Sequence, residues 1–456
     1  MRTASFLALA LAIGLALSDR NAVAQPKGPA LKPQQIYAQF RETMSEGKYD
    51  IAGIFLDQFL KSDPSDADFL ELQKQYGTTV FRMLRTVPKY SDDPATEKKI
   101  RDNIEELNKR ADAVAAKVLY DKDRVAKYIR NLGESYEEKV YAQQELRRTG
   151  EFAVPFMIDA VRTAGAREDL VANGVIETIS IIEGPSTAGW VAAIDVLPAD
   201  RLSSVLGALA LRRDALELVS NAQTDFTPYL WRFLSRDPKD VSPELRKSAL
   251  ALLNRLYPGI KADTRRPEVE LTAIARKFYD HKGRYLGAKT NPDGSPTVVP
   301  LWVWDEKTQK LTKLPEVPVG QAEEYYGLRY ARWALDSKPE YEPAQSLILA
   351  LAAERAVERS KAGNLATAEP ETYRLLSAAP SNVLVDLLVR GLGEKRTPLV
   401  LAMVQVLGDR ADRTAAMPLG GADKPSPLVK ALAYPDPAVQ FAAAAALLRS
   451  PVPVPA

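Results

Sequence analysis

One histidine and no cysteine bound the chemistry this chain can attempt. His281 stands in Tyr279-Asp280-His281-Lys282-Gly283, at the polar end of an apolar helical segment. A Ser-His-Asp triad must run through that residue, and no G-x-S-x-G elbow accompanies it. The composition leaves no route to a multi-histidine metal site, a thiolate zinc site, an iron–sulfur cluster or a disulfide. His281 therefore reads as a solvated or capping residue at a helix end. Acidic pairs such as Glu323-Glu324 fall on presumed helix surfaces, and nothing in the sequence places two carboxylates across a cleft. Asn291-Pro292-Asp293-Gly294 lacks the alternating oxygen ligands of a calcium loop and reads as a turn. P-loop, dinucleotide and EF-hand patterns are missing from the sequence. No catalytic residue, metal ligand or cofactor is expected. An enzyme would need a cleft that gathers His281 with two carboxylates.

Aromatic residues are the one local concentration. Phe278, Tyr279, Tyr285, Trp302, Trp304, Tyr325, Tyr326, Tyr330, Trp333 and Tyr341 crowd into 278–341. Trp302 and Trp304 are two apart, so on a strand they share one face. An open face offers flat anchors for a small ligand or glycan, with Trp302, Trp304, Tyr326, Tyr330 and Trp333 as the candidate binding residues. A closed face pins the strand onto the helix that carries Tyr330 and Trp333. An isolated hairpin is marginal in water and needs such docking.

The elements that position these residues are helices. Around Gly47-Lys48-Tyr49-Asp50-Ile51-Ala52, followed by Phe55, Phe59 and Asp63-Pro64, the pattern is a helix pair. The small residues Gly47 and Ala52 let the two helices approach, the aromatics fill the groove, and Pro64 stops the second helix. Residues 94–132 keep a 4-3 apolar spacing through Ile100, Ile104, Leu107, Ala111, Val114, Val118, Val125, Tyr128 and Leu132. That stripe suits either a dimerisation helix or a spacer packed on the chain's own body, with Asp121-Lys122-Asp123 as a potential break. A further pair spans 134–163, where Gly150 ends one helix and Ala153-Val154-Pro155 opens the next. More helices follow over 167–182, 186–196, 199–220, 226–235 and 242–256. Residues 260–320 interrupt them with a β-hairpin, its strands at 298–304 and 310–314. Helices resume over 321–362 and 363–456. Pro427 to Leu432, a Pro435-Asp436-Pro437 turn and an Ala-rich helix close the series.

These pairs resemble TPR-like units at 47–64 and 326–344, and HEAT-like units at 141–161 and 427–448. Gln440 stands where HEAT units often carry Arg. The chain is similar in character to exported bacterial helical-repeat proteins. The resemblance implies an all-α fold: an α-solenoid of TPR-like and HEAT-like helix pairs with a small inserted β-hairpin. It also implies a scaffold that holds a protein or peptide partner.

Export is read from the N-terminus. Arg2 precedes an apolar core from Phe6 to Leu17, too short to span a bilayer, and Ala22-Val23-Ala24 forms a cleavage site before Gln25. No later segment is apolar for long enough to cross a membrane. An exported chain without cysteine fits a periplasm or the cell exterior. The net charge of +2 comes without any long Lys/Arg run. Arg147-Arg148 and Arg212-Arg213 read as solvated helix surface, so nucleic acid is not an expected partner.

Overall fold

The computed structural model describes residues 31–77, 80–182, 184–259, 261–361, 363–418 and 424–450. The expected signal segment and the terminal run from Pro451 lie outside the described residues. The fold is mostly helical, with one three-stranded antiparallel sheet. Residues 31–68 with 90–103 form one compact unit, and 69–89 with 104–450 form another.

In the first unit, α1 (Pro33–Ser45) pairs with α2 (Tyr49–Lys61). The Tyr37 ring lies 5.4 Å from both Phe40 and Phe59. Gly47 serves the turn between them, at φ +73°, and a Cβ there would touch nothing. The close approach expected at Gly47 occurs instead at Gly53, where a Cβ would come within 2.7 Å of the Ile100 side chain. Leu56 is fully buried while Phe55 is only partly covered, because the face that packs is one step round the helix from the predicted one.

Next come α3 (Asp66–Tyr76) and α4 (Pro94–Val118). The stripe over 94–132 is divided between two helices. Asp121 opens α5 (Lys122–Asn131), its carboxylate accepting a bond from the Arg124 amide at 2.6 Å. Ile100, Ile104, Leu107, Ala111, Val114, Val125 and Leu132 are all buried by the chain itself, and of the stripe's aliphatic residues only Val118 is exposed. The stripe is therefore internal packing rather than a free dimerisation face.

The second unit continues with α6 (Tyr136–Thr149), α7 (Val154–Thr163), α8 (Asp169–Thr178), α9 (Gly184–Ala193), α10 (Ala199–Ala210), the single turn α11 (Ala215–Leu218), α12 (Thr227–Ser235) and α13 (Pro243–Leu256). Arg212 is buried rather than solvated. It donates to the Ile179 and Ile182 carbonyls at 2.7 Å each and forms a fork on Asp214. An orphaned helix-end carbonyl needs such a donor, and a guanidinium reaches two at once.

A helix, α14 (Pro267–Tyr279), occupies the first part of the span expected to be insert, and its apolar side is core. Proline at its first turn and acids at Glu268 and Glu270 favour helix there. The β segment itself is a meander of β1 (Lys289–Thr290), β2 (Pro296–Asp305) and β3 (Lys310–Pro318). Pro300 lies at the irregularity in the β2–β3 register, where a missing amide hydrogen costs no ladder bond. The Asn291–Ser295 stretch is the predicted turn, with Gly294 at φ +82° and Asp293 accepting from the Ser295 amide and hydroxyl. Gln223 ties the sheet segment to the helical body, donating to the Leu286 and Pro300 carbonyls and accepting from the Leu286 amide.

Beyond the sheet, α15 (Val319–Ser337) packs on α14 and on α16 (Glu342–Arg359). Then follow α17 (Leu365–Ala368), α18 (Pro370–Ala378), α19 (Ser381–Glu394), α20 (Thr397–Asp409), α21 (Arg413–Ala416), α22 (Pro427–Leu432) and α23 (Pro437–Arg449). Asp436 caps α23 through the Ala438 and Val439 amides at 2.8 and 3.3 Å. Gly408 meets Ala446 so closely that a Cβ on the glycine would lie 2.6 Å from the alanine's. That contact explains the alanine at 446: a larger side chain there would push α23 off α20. Gln440 bonds the Tyr434 carbonyl at 2.7 Å, closing the Pro-Asp-Pro turn.

Candidate functional site

Four of the aromatic candidates, Trp302, Tyr326, Tyr330 and Trp333, are core, and Trp304 is partly buried against it. Trp302 is 7% exposed, and its ring sits 3.6 Å from where a Cβ on Gly189 would be. Gly189 belongs to α9, and a side chain there would also strike Val154 of α7 at 2.6 Å. Trp304 lies under the Arg162 guanidinium of α7 at 5.2 Å. Both indole Nε1 atoms are buried without a hydrogen-bond partner among the described residues. The tryptophan face of β2 is thus closed onto α7 and α9, not onto the Tyr330/Trp333 helix. The bare backbone of Gly189 provides the space for the indole. Glu151 pairs with Lys313 beside it and secures β3.

Tyr326, Tyr330 and Trp333 line the inner side of α15. Tyr326 stacks on Phe278 at 5.3 Å, and Tyr330 lies 5.3 Å from Trp333. The Trp333 indole takes two cations, Arg232 at 4.4 Å and Arg329 at 4.9 Å. Asp195 accepts from both guanidinium groups and keeps them together. Burial pushes the Tyr326 and Tyr330 phenols well above their usual range. These five residues do not form an open aromatic platform. Nearby, Asp225 is buried just before α12. Burial raises its carboxyl to about 6, even though the Thr227 amide and hydroxyl both donate to it.

The chemically richest grouping is one the sequence did not announce. His281 directs Nδ1 at Glu323 Oε2, 2.9 Å away, and Arg355 Nη2 donates to the same oxygen at 3.1 Å. Glu323 is 4% exposed, so it is no surface acid. Arg396 grips Glu354 with two bonds of 2.6 and 2.9 Å. Its Nη2 also donates to the Tyr279 carbonyl at 2.6 Å and lies 3.3 Å from His281 Nε2. The Arg396 guanidinium covers the Tyr279 ring at 3.8 Å, and Arg390 approaches the same ring at 4.7 Å. Gly320 makes room: a Cβ there would sit 2.5 Å from Arg355 Nη1.

This arrangement does gather His281 with two carboxylates, Glu323 and Glu354. Each carboxylate is bonded to an arginine, Glu323 to Arg355 and Glu354 to Arg396. Its chemistry is cohesion. The end of α14, the start of α15, the middle of α16 and the turn before α20 are joined by charge-assisted bonds. The hydrogen bond to Glu323 holds the imidazole above its ordinary value, against its partial burial and the two arginines. His281 has φ +55°, a backbone state a non-glycine residue keeps only where its surroundings impose it. One signal was readable in advance. Glu354-Arg355 interrupt an Ala/Leu run from 347 to 357 that leaves no polar face, and a charged pair in such a run must be buried.

Among the described residues, no group of three or more His, Asp or Glu is placed to hold a metal ion. No single described helix is long and apolar enough to cross a membrane. No protein-family model, curated protein or solved structure matches this chain.

Proposed function

We propose that this chain is a non-catalytic protein–protein interaction scaffold of the cell envelope, an exported α-solenoid of TPR-like and HEAT-like helix pairs. The observation that carries the reading is the outward side of α23. Phe441 is 78% exposed and Leu448 88%, two turns apart on one face of a helix whose other face is already packed. Large apolar side chains aligned on an outer helix face are the usual mark of a contact surface. Succession supports the reading too, because neighbours in sequence pack on one another through α15–α16, α19–α20 and α22–α23. The burial of Trp302, Tyr326, Tyr330 and Trp333 removes the support for a glycan or small-ligand platform in 278–341. Glu323 and Glu354, held by Arg355 and Arg396, serve in this reading to tie helices together.

The test is a crosslinking pull-down with the mature chain from Gln25, beside a Phe441→Glu/Leu448→Glu version of equal thermal stability. A specific protein captured by the first and lost by the second supports the scaffold. Specific capture by neither overturns it.

A further inference from the structure

We propose that the groove between the end of α19 and the turn joining α22 to α23 holds an acidic peptide segment, with an apolar side chain on the groove floor and carboxylates at its rim. This rests on the scaffold reading and names the partner's chemistry. The groove measures about 510 Å³. Val389, Leu392, Ala433, Tyr434 and Pro435 form its apolar surface, and Lys395 and Lys430 stand over it. Neither ammonium pairs with a carboxylate among the described residues, although ion pairs are dense nearby at Arg390–Glu394 and Arg396–Glu354. An apolar trough with two unmatched cations is complementary to an apolar anchor between acids.

The groove's walls are fixed in place. The Tyr434 hydroxyl bonds Thr397 Oγ1 at 3.1 Å, which holds its ring as one wall. Gly393 leaves the flank of α19 bare, with nothing within 4 Å of its missing Cβ. Lys395 occupies the left-handed cap of α19 at φ +56°, where glycine is the unstrained choice. The bond from the Arg396 amide to the Gly391 carbonyl at 2.9 Å closes that cap. A glycine would cap the helix with less strain and place no charge at the rim. Exposed ion pairs contribute little individually, so affinity must come from the buried apolar anchor. The lysines select the partner's sign and speed its arrival.

The full chain is titrated into a short fluorescein-labelled peptide alternating Glu and Leu, with a Lys/Leu peptide as control and laurate as competitor. Anisotropy should rise saturably for the acidic peptide only, and should weaken as salt is raised. Lys395→Glu/Lys430→Glu should weaken binding roughly tenfold or more. Gly393→Leu keeps both charges, fills the trough and should weaken it as well. Absence of binding overturns the proposal, as does equal binding by the charge-reversed chain. Laurate bound where the peptide is not also overturns it, in favour of a small amphiphile. A partner protein that the Lys395→Glu/Lys430→Glu chain still captures, and that the Phe441→Glu/Leu448→Glu chain does not, removes the groove proposal and leaves the scaffold standing.

Discussion

Residues 278–341 and 427–449 use large apolar side chains in opposite ways. The first segment is rich in Trp and Tyr and turns nearly all of them inward, so that Tyr330 packs against Trp333 in the core and Trp302 is buried beneath the Lys313 ammonium. The second is rich in alanine, and on α23 Phe441 and Leu448 point out while Val439 and Leu447 pack inward. Aromatic density is therefore a poor guide to an open surface in this molecule. A wide gap between a sheet and several helices needs bulk to fill it. Where two helices come into close contact, as at Gly408 and Ala446, there is no room for bulk between them.

The contrast predicts unequal costs of truncation. Trp302→Ala should lower stability by about 3–5 kcal/mol, read as a shift in the denaturant midpoint at unchanged slope. A cost under about 1 kcal/mol would mean that the tryptophan face of β2 is open in solution.

The buried core around the first segment should also be sensitive to pH while the outer helix is not. Asp225 has a folded carboxyl raised to about 6 from 3.8, so the folded state binds the proton more tightly. Its contribution is complete below 3.8 and is lost as pH rises through about 6. Asp225→Asn keeps the acceptor for Thr227 and should flatten this loss, a difference of about 3 kcal/mol between the acidic and neutral ends. His281 is raised as well, so its contribution is present below 6.5 and falls at higher pH. Thermal unfolding compared between the parent chain and Asp225→Asn should show the parent losing its advantage between pH 3.8 and about 6, while the decline due to His281 above pH 6.5 stays in both. A decline unaffected by that substitution would place Asp225 in contact with water.

The smallest effect belongs to the outer face. Phe441→Ala/Leu448→Ala should change stability by no more than about 0.5 kcal/mol, because little area is lost from the core. A cost comparable to Trp302→Ala would show that something already covers α23 in solution.

Much of the helical framework was legible in advance. Pro-Asp-Pro at 435–437 marks a turn and a helix start whatever surrounds it, because proline fixes φ and aspartate supplies a cap. The β-branched and aromatic run from Val298 to Trp304 marks a strand for a similarly local reason. The candidate site was not legible. His281, Glu323, Arg355 and Arg396 are far apart in sequence, and only the packing of α14, α15, α16 and α20 brings them together. Arg212 was misread for the same reason, since its partners Ile179 and Ile182 lie two helices earlier.

By itself, then, the sequence determined element type, helix ends, the strand turn and the exclusion of thiolate and multi-histidine chemistry. Each of these depends on backbone geometry or on composition. The tertiary structure decided which faces are buried, where Trp302 docks, that His281 is held between Glu323 and Arg396, and that Lys395 and Lys430 overlook one groove. Those outcomes depend on distances between segments that share no local signal, and burial and charge pairing take effect only once the segments meet.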